Sequence, residues 1–449
     1  MRNQPVTDLV DLVSPTRQQL LGVGLESARK LLLSDDPRAV RRIGGSFALV
    51  ARDGERVRLA RSLDRPLRFF LAKQPEGPLL IVAESIAEIR QHLEELGFAD
   101  QFHPSYTRMV PAHHVTTVRL VGCPDPDPRH ERFLEPPTRP LPADTGHIGR
   151  LYVEALYREL DAWVAANDPR EPIGVLFSGG VDSGAVLLTL YRVLLDRGQS
   201  PARLKAFTLT VGGGDDLRQA REFLGRVDLE LLHEIVEVEP REIDPLAAVE
   251  LIEDYKPLDV ECAAVNLALL RAIRARYPDW RPLADGDGGD ENLKDYPIEE
   301  NPELTIRSVV GNPLLYQEGW GVGCLKHSLT YSGGLSRGCV RGFAPRRALG
   351  FEGISPFTRP ALVELATAIP FDRLARGDHQ RLYALKGEIL GRGLRQVLDV
   401  ELPVFEKRRF QRGAVAAPVF PRLFGHDGEL YRRHFLESSR AGRSAAPTA

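Results

Sequence analysis

The chain has 449 residues, 43% of them hydrophobic and 27% charged, with a formal net charge of −3. That length is enough for two or three packed domains, and the near-neutral balance gives no bulk attraction to nucleic acid or anionic lipid. No stretch approaches the roughly eighteen uncharged apolar residues of a membrane span. The beginning, "MRNQPVTDLVDLV", places acids inside a short apolar run and lacks a secretory leader pattern. Four cysteines (Cys123, Cys262, Cys324, Cys339) are scattered without a Cys-x-x-Cys pair, so they read as reduced, packed thiols of a cytoplasmic protein.

In chain order, the first third is β-rich. The segments 46–51, 56–62, 67–72 and 78–84 are short apolar or alternating runs separated by Asp-Gly, Arg-Pro and Gly-Pro, which predicts an antiparallel meander or sandwich. A Pro- and charge-rich stretch over 122–144 reads as an interdomain connection. From about residue 146 the period becomes helical, with Ile148, Tyr152, Leu156, Leu160 and Trp163 on one face. Strands are then predicted at 173–177, 204–211, 230–238 and 281–285. Helices are predicted from Ser183, near 215–226 and around 261–276. Such alternation predicts an α/β fold: a parallel sheet with flanking helices, preceded by the smaller β-rich domain. The predicted domains are 1–136 and 145–436, the latter mostly helical beyond 300, with a small, polar, disordered tail at 437–449.

The segment "GVLFSGGVDSGAV" ends a predicted strand and opens a predicted helix. Gly179 and Gly180 let backbone amides approach an anion without an intervening Cβ, and the helix start adds unpaired N–H groups and a positive dipole end. Ser178 and Ser183 add hydroxyls. A capped Gly-rich turn is the plain alternative. The full six-residue pattern favours a phosphate cradle, and it is not a Walker A loop because no Gly-Lys-Ser/Thr follows. Asp182 beside phosphates requires an intervening cation, and Mg²⁺ meets that need.

A second loop, "LADGDGGDENLKDY", sets Asp285, Asp287, Asp290 and Glu291 among three glycines after another predicted strand. An EF-hand fails, since Asp290 occupies the sixth position and Tyr296 the twelfth. A solvated acidic turn and a second Mg²⁺ ligand both remain open.

Together, Ser-Gly-Gly-Val-Asp-Ser, Gly286-Asp287-Gly288-Gly289-Asp290-Glu291 and Tyr296 resemble the asparagine synthetase family of PP-loop ATP pyrophosphatases, which includes β-lactam synthetase and lasso-peptide cyclase. The segments "ALGFEGISPF" (348–357), "LATAIP" (365–370), "LKGEILGRGLRQVLDVELP" (385–403) and "EKRRF" (406–410) are similar to further family segments in the same order. The resemblance implies an AMP-forming ligase that adenylates a small-molecule or peptide carboxylate with ATP and Mg²⁺. Pyrophosphate is released, and the acyl group passes to an amine or to ammonia. It implies ATP or pyrophosphate binding by Ser178, Gly179, Gly180, Asp182, Ser183, Gly286, Gly288 and Arg408, and Mg²⁺ binding by Asp182 and Asp290. Lys386 would balance phosphate charge and Glu352 would serve as general base.

Residues 44–89 resemble the central part of the family's glutamine amidotransferase domain, but position 2 is Arg and no cysteine precedes Cys123. The resemblance therefore implies a degenerate domain without glutaminase activity. The nitrogen would come from a substrate amine, from free ammonia or from a separate protein. Arg359 stands where the family has an aspartate and Ile354 where it has an arginine, which points away from aspartate as acceptor. The alternative, from a different class, is a catalytically silent nucleotide-binding scaffold in a biosynthetic complex. No nucleic-acid or membrane partner is expected, and a homodimer is an admissible assembly.

Overall fold

The computed structural model describes residues 9–121, 127–135, 137–295, 305–311, 342–405, 410–425 and 428–440. Tyr296, Lys407, Arg408, Arg409, Cys123, Cys324 and Cys339 lie outside the described residues.

The N-terminal unit contains strands β1 (Leu9–Asp11), β2 (Gln19–Leu21), β3 (Gly44–Ser46), β4 (Ala48–Asp53), β5 (Arg56–Arg61), β6 (Arg68–Gln74), β7 (Gly77–Ala83), β8 (Arg108–Met109), β9 (His114–Arg119) and β10 (Arg129–Arg132). Two four-stranded sheets, ordered β1-β7-β6-β8 and β10-β9-β5-β4, meet across Val50, Val57, Leu59, Phe69, Leu80 and Val82. The sandwich expectation is thus met, with one refinement: β1 runs parallel to β7, so the first sheet is mixed. Neighbouring residues face opposite ways along each strand. Leu49 and Ala51 therefore pack on helix α1 (Leu25–Leu32), while Phe70 and Ile81 pack on α2 (Ile86–Glu95). Most residues of β5 and β7 are buried on both faces, whereas the edge strand β10 stays exposed or half-buried.

Helix α3 (Thr145–Ala166) then leads into the second unit, and its predicted face (Ile148, Tyr152, Leu156, Leu160, Trp163) is buried. Strands β11 (Ile173–Leu176), β12 (Leu204–Thr210), β13 (His233–Glu237), β14 (Pro282–Ala284) and β15 (Glu352–Ile354) form an all-parallel sheet ordered β13-β12-β11-β14-β15. The intervening helices are α4 (Val181–Asp196), α5 (Asp215–Arg226), α6 (Pro245–Ile252), α7 (Pro257–Arg276), α8 (Gly289–Leu293), α9 (Ile306–Gly311) and α10 (Ala344–Ala348). Helix α4 starts two residues before Ser183, with Gly180 as its N-cap. After the sheet come α11 (Pro360–Thr367), α12 (Phe371–Ala375), α13 (His379–Leu398), α14 (Phe410–Ala414), α15 (Phe420–Phe424) and α16 (Gly428–Arg440). The predicted tail boundary at 437 is corrected here. Helix α16 continues to Arg440 because the Arg90 guanidinium donates to the backbone oxygens of Ser438 (2.9 Å) and Ser439 (3.2 Å).

The strand order decides where a site forms. The chain moves from β11 outward to β12 and β13, then returns to the other side of β11 as β14. The order reverses between β11 and β14, and such a switch point leaves a crevice at the strands' carboxyl ends.

Charged contacts hold the two units together. Arg41 makes two 2.8 Å hydrogen bonds to Glu364. Arg347 lies 2.9 Å from both Glu84 and Glu88. Arg359, only 2% exposed, pairs with Asp64 at 3.3 Å and donates to the Gly45 carbonyl. The position expected beside an acceptor pocket therefore serves the interface instead, because the guanidinium of Arg359 reaches across to the N-terminal unit.

Candidate active site

The two glycine-rich loops flank the crevice: Ser178–Ser183 follows β11, and Asp285–Glu291 follows β14. Gly179 has φ +74°, a conformation that favours glycine, and turns the chain from strand to helix. Gly180 caps α4 without a side-chain hydrogen bond, so the first N–H groups of this sixteen-residue helix remain available to an anion. The two serines brace the turn, with the Ser183 hydroxyl 3.4 Å from Ser178 Oγ and donating to the Gly180 carbonyl at 3.3 Å.

The loops also touch. A Cβ on Gly286 would lie 2.8 Å from Ser183 N, and one on Gly289 would lie 2.3 Å from Asp182 Oδ1. Gly288 has φ +95°, and a Cβ there would be 3.2 Å from Phe357. These glycines are thus required by close approach as well as by turn geometry. Gly289→Ala is expected to destabilise the protein by about 1–3 kcal/mol through overpacking, read from urea unfolding; an unchanged midpoint would argue against the contact.

Lys386 joins the loops. It lies on α13, in a stripe formed by Leu382, Leu385, Ile389, Leu390, Gly393 and Leu394 that is otherwise apolar. Its helix packs directly on α3, where Gly149 and Gly393 bring the backbones together; a Cβ on either would sit 2.2 Å from the opposite backbone oxygen. Lys386 Nζ donates to Asp182 Oδ2 at 2.7 Å and Asp290 Oδ1 at 2.5 Å, and pairs with Asp295 Oδ2 at 2.8 Å. Burial opposes its charge, yet the three carboxylates outweigh burial and hold the ammonium well above the ordinary lysine value.

Supporting contacts fix this arrangement. Asn292 Nδ2 donates to Tyr152 OH (2.9 Å) and to the Phe357 carbonyl (2.8 Å), tying α8 to α3 and to the segment after β15. Arg346 Nη1 donates to Asp285 Oδ2 at 2.5 Å, committing that carboxylate to a buried ion pair. Lys294, 1% exposed, caps α8 with φ +60°, and burial lowers its pKa to about 7.

Of the expected site residues, the structure gathers Ser178, Gly179, Gly180, Asp182, Ser183, Gly286, Gly288, Asp290 and Lys386. It does not bring Glu352 to them. Glu352 begins β15, in register with Pro282 at the amino end of β14, and its side chain is 49% exposed beside Arg281 at 3.4 Å. The crevice lies at the opposite, carboxyl end of those strands, so the general-base assignment fails on topology. Glu352→Gln is expected to leave stability within about 0.5 kcal/mol of wild type and turnover unchanged; an activity loss would show that the residue reaches the site after all. Asp295, Asn292 and Arg346 were missed as site residues. Asp295 stood inside the quoted acidic loop, and only its place beside Lys386 marks it out.

Residues 158–321 match the family model for asparagine synthase. The chain carries an asparagine synthase-family domain. The matched stretch contains both glycine-rich loops but ends before α13, so Lys386 is tied to the site by contact rather than by the match. No curated protein relative matches the chain. The match covers 158–321 alone, and the domain there supports an ATP-dependent amide-forming ligase family of the asparagine synthetase kind. Among the described residues no helix is long and apolar enough to cross a membrane.

Proposed function

We propose that the protein is an AMP-forming ligase that adenylates a substrate carboxylate, releases pyrophosphate and passes the acyl group to an amine or ammonia. The observation that carries this reading is Lys386, whose one ammonium contacts carboxylates from both crevice loops. The site thus presents carboxylates of both loops held in place by one ammonium, beside an open helix N-terminus where a triphosphate would lie.

The residues also suit Mg²⁺. Among the described residues no three or more His, Cys, Asp or Glu side chains form a metal-holding group, but Mg²⁺ in phosphate-transfer sites takes one or two carboxylates plus substrate phosphates. Asp182 and Asp290 both face the space occupied by the Lys386 ammonium and are the carboxylates that would hold the ion. The ion would supply charge neutralisation on the phosphates.

In the first step a carboxylate oxygen of the substrate bonds to the α-phosphorus and the bond to the bridging oxygen breaks, leaving pyrophosphate. The α4 N–H groups, the Ser178 and Ser183 hydroxyls and the Lys386 ammonium receive the charge that develops there. In the second step the amine nitrogen bonds to the acyl carbon, the acyl–phosphate C–O bond breaks, and AMP departs while the nitrogen releases a proton to solvent. The scattered cysteines, with no Cys-x-x-Cys in the sequence, support work in the cytoplasm.

The test is pyrophosphate and AMP release from Mg·ATP, with size-fractionated cell extract supplying the carboxylate and the amine. AMP and pyrophosphate in equal amounts support the reading. ADP and phosphate would refute it. Nucleotide binding without turnover in any fraction would favour the silent scaffold.

A further inference from the structure

The junction between the two units holds an open pocket of about 230 Å³. Pro66, Leu251 and Phe343 give it apolar walls, and Arg68, Glu84, Glu253 and Arg347 give it charge. Arg68 and Glu84 are buried, with side chains 2% and 1% exposed. Arg68 Nε and Nη1, and Glu84 Oε2, have no hydrogen-bond partner.

The neighbours do not remedy this. Glu253 Oε2 lies 3.3 Å from Arg68 Nε, but its carboxylate accepts the N–H groups of Ile86 (2.8 Å) and Ala87 (2.9 Å) at the start of α2. Glu84 Oε1 accepts from Arg65 Nε, and Arg347 Nη1 approaches Oε2 at 2.9 Å without hydrogen-bond alignment. A buried donor or acceptor left unsatisfied costs about 1–3 kcal/mol, and here one of each sign lines the same space.

A ligand that completes both must carry an acceptor anion and a donor cation. The volume equals that of about eight liquid waters and lies below the roughly 300–1,000 Å³ of drug-sized sites, so the ligand is small. We propose that this interdomain pocket binds a small zwitterion of the α-amino-acid class, its carboxylate on Arg68, its ammonium on Glu84 and its side chain against Leu251 and Phe343. The site is separate from the phosphate crevice, and the proposal stands whether or not the adenylating reaction does.

The test is calorimetric titration of the full chain, without nucleotide, using each standard L-amino acid in turn, with acetate and ethylamine as single-charge controls. Saturable one-to-one binding of at least one amino acid is expected, weakened at least about tenfold, or about 1.4 kcal/mol, by Arg68→Gln. Because losing a buried arginine can impair folding, Ala348→Trp provides a second variant. Ala348 is exposed at the rim, and the indole would obstruct entry without removing a contact. Circular dichroism and thermal unfolding establish which variants fold. Loss of binding in a folded variant, with neither acetate nor ethylamine reproducing it, supports the site. No saturable amino-acid binding to wild type overturns it, as does binding that folded variants leave unchanged or that a single-charge control reproduces.

Discussion

Asp182→Asn is expected to lower pyrophosphate release from Mg·ATP by at least about a hundredfold, the scale set by removing one preorganised electrostatic group from a reacting centre. Asparagine keeps the size of the side chain, and so the close approach to Gly289, but removes the charge that faces Lys386 and would face a cation. Folding should largely survive, since Lys386 keeps Asp290 at 2.5 Å and Asp295 at 2.8 Å. The informative measurement is therefore turnover alongside urea unfolding of the same preparation. A catalytic loss without a matching loss of stability locates the effect in the chemistry. A variant that turns over like wild type would remove Asp182 from the mechanism.

Lys386→Met should act differently, destabilising the protein by about 3–5 kcal/mol because removing one partner of a buried ion cluster leaves the others uncompensated. The lower end is the better expectation, since the Asp290 side chain is 38% exposed and water will relieve part of its charge. The pH dependence has a definite sign. The ammonium is held above its ordinary value, so its contribution is fully present below the unfolded-state pKa of roughly 10.4 and disappears only as pH rises through the higher folded value. The stability difference between wild type and variant should accordingly stay flat from about pH 6 to pH 9. A gap that closes with rising pH inside that window would mean the lysine is not held charged by the three aspartates.

Much of this site was legible before any coordinates. The strand–loop–helix pattern around Ser178–Ser183 and the acidic glycine loop after β14 are local features, written in contiguous residues by turn chemistry and helix capping. Helical period over 148–163 and strand–helix alternation from residue 173 gave the α/β class for the same reason. The N-terminal unit was less readable. Its strands β1, β2, β3 and β8 have only two or three residues each, too few to express a period, and β1 joins its sheet through a parallel partner far along the chain, Leu9 beside Leu80.

What the sequence by itself determined was the chemistry available: a phosphate-ready loop, acidic residues on a second loop, and a lysine marked by the family resemblance. What only the tertiary structure decided was which of these meet. Strand order set Ser178–Ser183 and Asp285–Glu291 on either side of one crevice, and the close crossing of α3 and α13 at Gly149 and Gly393 delivered Lys386 to both. The same order put Glu352 at the amino end of its strand although it lies in a segment similar to the family's, and Arg359 reaches into the interface. The reason is geometric. Local sequence fixes the conformation of a loop or helix, but the end of a parallel strand at which a residue falls depends on register with neighbours far away in the chain.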